Sequence, residues 1–137
     1  MVKTEIITLN SKGNTELIDI TNHVQSIVKK SEVLEGNVSV YVVGSTCSIT
    51  TIEYEQGLKA DFKDAMERIA PKNITYEHDN AWHDGNGHSH IRASIIGSSK
   101  TFPVLDGEVM LGTWQQIVFI DFDNKKRSRR IVVQVIE

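Results

Sequence analysis

One cysteine, two prolines and no long apolar run set the first limits on this 137-residue chain. With Cys47 alone, no internal disulfide can form and a zinc site built on several thiolates is excluded. Its neighbours in "STCSITTI" are small or β-branched, which suits a buried thiol acting as a small hydrophobe rather than a nucleophile. No stretch approaches the ~18 uninterrupted apolar residues of a membrane span, and the opening "MVKTEIITLNSKG" lacks the apolar core of a signal peptide. A cytoplasmic location and no membrane partner are therefore expected. Positive charge is not in excess either: 15 Lys and Arg against 18 Asp and Glu leave a net charge of −3, which disfavours nucleic acid as the main partner. No repeat, linker or low-complexity segment interrupts the chain, so a single domain over residues 1–137 is expected.

What is present reads mostly as strand. "KTEIITLN" is β-rich and stops at the turn-forming "SKGN". "TNHVQSIVKK" predicts a short helix capped by Thr21, with Val24, Ile27 and Val28 on one face and Lys29 and Lys30 near its negative end. His23, in its first turn, is assigned no role. "NVSVYVVG" and "SITTIEYE" predict two strands joined by "GST", residues 44 to 46. "GLKADFKDAMERIAP" spaces Leu58, Phe62, Ala65, Met66 and Ile69 as a helical stripe ended by Pro71. A further short helix is predicted at "SHIRASIIG", with Ile91 and Ile95 one turn apart and Gly97 as its C-cap. The remainder, "KTFPVL", "VMLGTWQQIVFIDFD" and "RRIVVQVIE", reads as β, with Pro103 placing its strand on an edge or at a bulge. Antiparallel strands with two or three helices make an α+β domain.

The segment "EHDNAWHDGNGHSH", residues 77 to 90, concentrates four of the five histidines with three acidic residues. Neutral imidazole is the commonest metal-ligating side chain, and a carboxylate can orient its second nitrogen. The spacing H-x4-H-x4-H-x-H matches no standard zinc signature, so any ligands would converge through an irregular loop. Two other readings stand beside a metal site. Asp84, Gly85, Asn86 and Gly87 are strong turn formers, and histidines and aspartates of a turn-rich loop bond backbone groups. One histidine near neutrality also suits general acid–base work. Glu53 and Glu55, two apart on the predicted strand, project to one side, either to water or toward the histidines. The basic run "KKRSRR", residues 125 to 130, is a solvated hairpin tip or a phosphate grip. "GST" and "GSSK" are compatible with anion binding. Trp114 either packs beneath a ring-bearing ligand or anchors the core.

The run "DGEVMLGTWQQI", residues 106 to 117, with "GHSHIRASIIGSS" before it and "RSRRIVVQV" after it, resembles the YjbQ-like family, also called UPF0047. The likeness extends back through "HD" at 78 and 79 and "GSTCSITTIEYE" at 44 to 55. It implies a compact α+β fold, a homotrimer, and secondary thiamine-phosphate synthase activity. That reaction joins a hydroxymethylpyrimidine diphosphate to a thiazole phosphate and releases pyrophosphate. On this resemblance His78, His90 and Glu53 are the candidate catalytic residues, and His78, His88 and His90 the candidate ligands of a divalent metal. Zinc suits histidine; Mg²⁺ suits a diphosphate substrate. Ser45, Thr46, Arg92, Trp114, Gln115 and Arg130 are the candidates for holding a small phosphorylated metabolite. Many family members carry a histidine where this chain has Gly44, and His88 or His83 is the natural substitute. A metal-dependent hydrolase and a non-catalytic metabolite-binding protein are the competing readings.

Overall fold

The computed structural model describes residues 1–137 as eight strands and four helices. In chain order these are β1 (Val2–Ser11), β2 (Glu16–Asp19), α1 (Thr21–Ser31), β3 (Glu35–Val42), β4 (Cys47–Ile52) and α2 (Gln56–Ile69), followed by α3 (Glu77–Trp82), α4 (Gly87–Ile96), β5 (Ser99–Leu105), β6 (Glu108–Val109), β7 (Gln116–Asp121) and β8 (Arg127–Ile136). All strand pairs are antiparallel, in a five-stranded sheet of order β1-β8-β3-β5-β6 and a three-stranded sheet of order β2-β7-β4. The α+β expectation holds, with four helices rather than two or three. No helix is long and apolar enough to cross a membrane.

The sequence dictates this layering through side-chain period. Along β8 the buried positions alternate, Arg129, Ile131, Val133 and Val135, because successive side chains point to opposite faces. The "IVFI" of β7 does not alternate because both of its faces are covered. Ile117 and Phe119 enter a core shared with the five-stranded sheet and α1, while Val118, Ile120 and the following Phe122 pack with Leu17, Met66 and Ala93 under α2 and α4. Burying a Val, Ile or Phe side chain is worth about 1.5–3 kcal/mol, so this one strand ties the helical layer to the sandwich. Pro103 sits on β5, which pairs along its length with β3 and on its other side only with the two residues of β6. The missing N–H is tolerated at that near-edge position.

Several local expectations need correction. Thr21 opens α1 but does not cap it. Its hydroxyl donates to Asp19 Oδ1 (2.6 Å) and accepts from the Ile117 N–H (2.8 Å), fixing the helix to β7. The stripe on α2 is only partly used: Met66 is buried and Phe62 stacks near Phe122, whereas Ile69 is exposed. Ile91 and Ile95 of α4 also face outward. The long run ending in "FIDFD" is not one strand, because residues 110 to 115 form a turn between β6 and β7.

Candidate functional site

The histidine segment is helical, not an irregular loop. α3 ends at His83, whose φ of 55° with Gly85 at 65° reverses the chain into α4. A Cβ on Gly87 would lie 2.5 Å from Tyr76 Cβ, so the start of α4 rests directly on the residue preceding α3. Asp79 Oδ1 accepts from the Gly87 N–H (3.0 Å) and Asp84 Oδ1 from the Asn86 N–H (3.1 Å). Both carboxylates thereby satisfy backbone donors at a helix start that lacks a side-chain cap.

A buried polar cluster anchors the same helix start to the sheets. Asn86 Nδ2 donates to Asp123 Oδ2 (3.1 Å), which also accepts from Thr46 Oγ1 (3.0 Å) and Arg127 Nε (3.2 Å). Burial alone would raise the Asp123 pKa, but the hydrogen bonds from Asn86 and Thr46 hold it below the usual carboxylate range. Beside it, Arg129 forks onto Asp121 with Nε–Oδ2 at 2.8 Å and Nη2–Oδ1 at 3.0 Å, joining β8 of one sheet to β7 of the other. Arg129 Nη2 also donates to Thr46 Oγ1 (2.6 Å). Thr46 is thus buried and fully committed, and is not free to hold a substrate as expected.

On this scaffold His78 and His90 meet, with ring centroids 4.4 Å apart and planes tilted by 43°. His78 Nδ1 stands 3.5 Å from Asp84 Oδ1 and 3.8 Å from Asp79 Oδ1, and has no hydrogen-bond partner although it is buried. His90 has its pKa pushed below 6.5 by burial and then by repulsion from His78, so its ring is neutral at pH 7. Next to His90 is a hollow of about 270 Å³ lined by Gly44, Ser45, Cys47, Ser94, Gly97 and Ser98. Burial lifts the Cys47 thiol to about 11, which leaves it inert at neutral pH, as its sequence context predicts.

Other expected partners lie elsewhere. His88 is two residues from His90 on a helix, about 200° around the axis, and its buried ring lines a different cavity together with Arg92. The expected His78–His88–His90 ligand set is therefore not assembled; Asp79 and Asp84 occupy the positions beside His78. His83 is exposed at the α3 C-cap. β4 ends at Ile52, so Glu53 and Glu55 are not on a strand, and Glu55 instead caps α2 by accepting from the Gly57 and Leu58 N–H groups. Glu53 and a largely exposed Trp114 share a wide hollow of about 660 Å³ with Tyr54 and Asp19. That hollow begins at the far end of β4 from Cys47, a six-residue strand of roughly 20 Å, so one chain does not bring Glu53 to the histidines. Gln115 ties its turn to β4 through Thr51 (3.2 Å), and Arg130 is exposed on the outer face of β8. Sequence reading missed Asp121, Asp123 and Arg129. The signal was present as acids two apart in "DFD" facing bases two apart in "RSR", a charge complement at strand period.

The antiparallel two-sheet α+β architecture with its four helices defines the class of protein. The family model described as "UPF0047 protein YjbQ-like" matches residues 5–137, and the chain belongs to that family. UPF0047 proteins of Archaeoglobus fulgidus and Methanothermobacter thermautotrophicus are each 37% identical to it, covering 95% and 98% of this chain and 98% and 92% of their own. Among solved structures, a YbjQ-like protein of unknown function from Sulfolobus solfataricus P2 superimposes with TM-score 0.88 at 30% identity, over 98% of both chains. A yjbq/upf0047 family protein from Clostridium acetobutylicum gives TM-score 0.88 at 34% identity, over 96% of this chain and 99% of that one.

Proposed function

We propose that the protein is an enzyme for a small phosphorylated metabolite, acting at the His78–His90 pair with a divalent cation held by His78, Asp79 and Asp84. One observation carries the reading: a buried, unpartnered His78 Nδ1 faces two carboxylate oxygens, and the three donor atoms lie within 4.8 Å of one another. Ligand atoms around one small cation sit about 3–3.5 Å apart, so slight contraction closes the set. One nitrogen with two carboxylate oxygens suits zinc and is less hostile to Mg²⁺ than three imidazoles. A cation there would offset the charge on a departing phosphate or pyrophosphate. His90, neutral at pH 7, takes or returns a proton at its ring nitrogen. Ser45 and Ser98 offer hydroxyl donors to phosphate oxygens in the adjoining hollow, whereas the Ser94 hydroxyl already donates to the His90 carbonyl (2.7 Å).

The reaction assigned first is the one the family resemblance implies, transfer of a hydroxymethylpyrimidine from its diphosphate to a thiazole phosphate. Pyrophosphate release that requires both precursors supports transfer; release from the diphosphate alone identifies a hydrolase. Metal analysis tests the site itself. Wild type should hold one divalent ion per chain and the His78→Ala and Asp84→Ala variants none; equal content in all three removes the proposal. Because one chain keeps Glu53 and Trp114 apart from the histidines, a site using both is built between copies, in line with the trimer expected from the resemblance. Mixing inactive His90→Ala and Trp114→Ala chains should restore part of the activity, whereas a site confined to one chain restores none.

A further inference from the structure

The face of α4 opposite His90 borders a second cavity, of about 340 Å³, with no apolar residue in its lining. Lys63, Asp64, Glu67, Lys72, His88 and Arg92 form most of its wall. Three cations thus face two carboxylates, and Glu67 is already engaged by Arg92 Nη2 at 2.7 Å. Arg92 is buried, and it also donates from Nε to the Ala70 carbonyl (3.0 Å) and from Nη1 to Thr15 Oγ1 (3.1 Å). Three of its five N–H groups are spent, so one on each terminal nitrogen remains.

His88 supplies an independent observation. The residue is 2% exposed, yet its Nδ1 has no partner. The Ser89 hydroxyl donates its one proton to the Phe122 carbonyl at 2.6 Å, so the 3.3 Å contact between Ser89 Oγ and His88 Nε2 must be donated by the imidazole. That places the proton on Nε2 and leaves Nδ1 a bare, enclosed acceptor on a ring that lines the cation-rich cavity. A ligand completing this arrangement must be anionic and must also carry a donor of its own.

We propose that this cavity is a second binding site, for a hydrogen-phosphate group, either free or as the head of a small phosphomonoester. On binding, the His88 ring turns to present Nδ1 to the phosphate hydroxyl, and the other phosphate oxygens accept from the two remaining Arg92 N–H groups and from the Lys63 and Lys72 ammonium groups. The site is separate from the His78–His90 pair and does not depend on a metal there.

The test is an NMR titration of the histidine ring resonances of the full chain with inorganic phosphate, at neutral pH and constant ionic strength. His88 signals should shift and saturate while those of His78 and His90 stay in place. A Lys63→Gln/Lys72→Gln variant alters two exposed side chains and so keeps its fold, and it should bind phosphate ~10-fold more weakly. Sulfate has no proton to donate at neutral pH and should also bind ~10-fold more weakly. Glycerol phosphate serves as the monoester probe, and whichever phosphate binds more tightly identifies the source of the group. Three results would overturn the site: no saturable His88 shift at ~10 mM phosphate, equal affinity for sulfate, or shifts confined to His78 and His90. Because the readout is His88, loss of the metal proposal leaves this inference standing.

Discussion

At the scale of single residues, the environment of each ring sets what it can do. His90 is kept neutral by burial and by His78, so removing the second cause has a defined sign. In His78→Ala the His90 pKa should rise toward 6.5, visible by proton NMR of the ring; a fall would show that His78 is not a repelling neighbour. Gly44 is the other informative position. A Cβ there would lie 2.7 Å from Cys47 Sγ and 2.8 Å from Arg129 Nη1, on backbone with φ of 153°. Gly44→Ala should therefore cost about 1–3 kcal/mol in urea unfolding. The histidine expected there from the resemblance would meet Arg129 and Cys47, which already crowd a Cβ at Gly44.

At the scale of elements, that fork is the joint between the sheets. The side chains of Asp121 and Arg129 are 0% and 10% exposed, and leaving one charge buried without its partner typically costs about 3–5 kcal/mol. Asp121→Ala should lower unfolding stability by that amount, and Asp121→Leu with Arg129→Met should recover most of it. If the double variant is as unstable as the single, the loss came from packing rather than from the orphaned charge. The strands β1, β3, β5 and β8, with helices α1 and α2, were legible because each shows its own period within about ten residues. β7 was legible for a different reason, as an unbroken apolar run whose two faces are both covered. α3 was not legible: its six residues carry no apolar stripe, and its register is set by Tyr76 against Gly87 and by Asp79, contacts that no local pattern reveals. The candidate site was half legible. The pairing of His78 with His90 emerged from clustering and resemblance, whereas the divergence of His88 required knowing that residues 87 to 96 are helical. Asp79 and Asp84 were visible only as turn formers.

At the scale of the whole molecule, stability should decline on the acid side through the buried imidazoles. His88 and His90 have folded-state pKa values below the 6.5 of a free ring. As pH falls through 6.5 the unfolded chain takes up protons that the folded chain refuses. The stabilisation is complete above that pH and is lost progressively until the folded values are passed. Urea midpoints measured between pH of about 7.5 and about 5.5 should show the decline, and His90→Gln should flatten part of it; a midpoint that rises on acidification would contradict both assignments.

β8, the last strand in sequence, is inserted between β1, the first, and β3, with Val2 facing Ile136 in register and Val38 facing Val135 on the other side. During translation β1 has no neighbour to pair with until β8 has left the ribosome, so the larger sheet closes only then and through contacts of very large sequence separation. A nascent chain stalled before Arg127 should remain open to protease along its first ten residues, however well α1 and β7 have already formed.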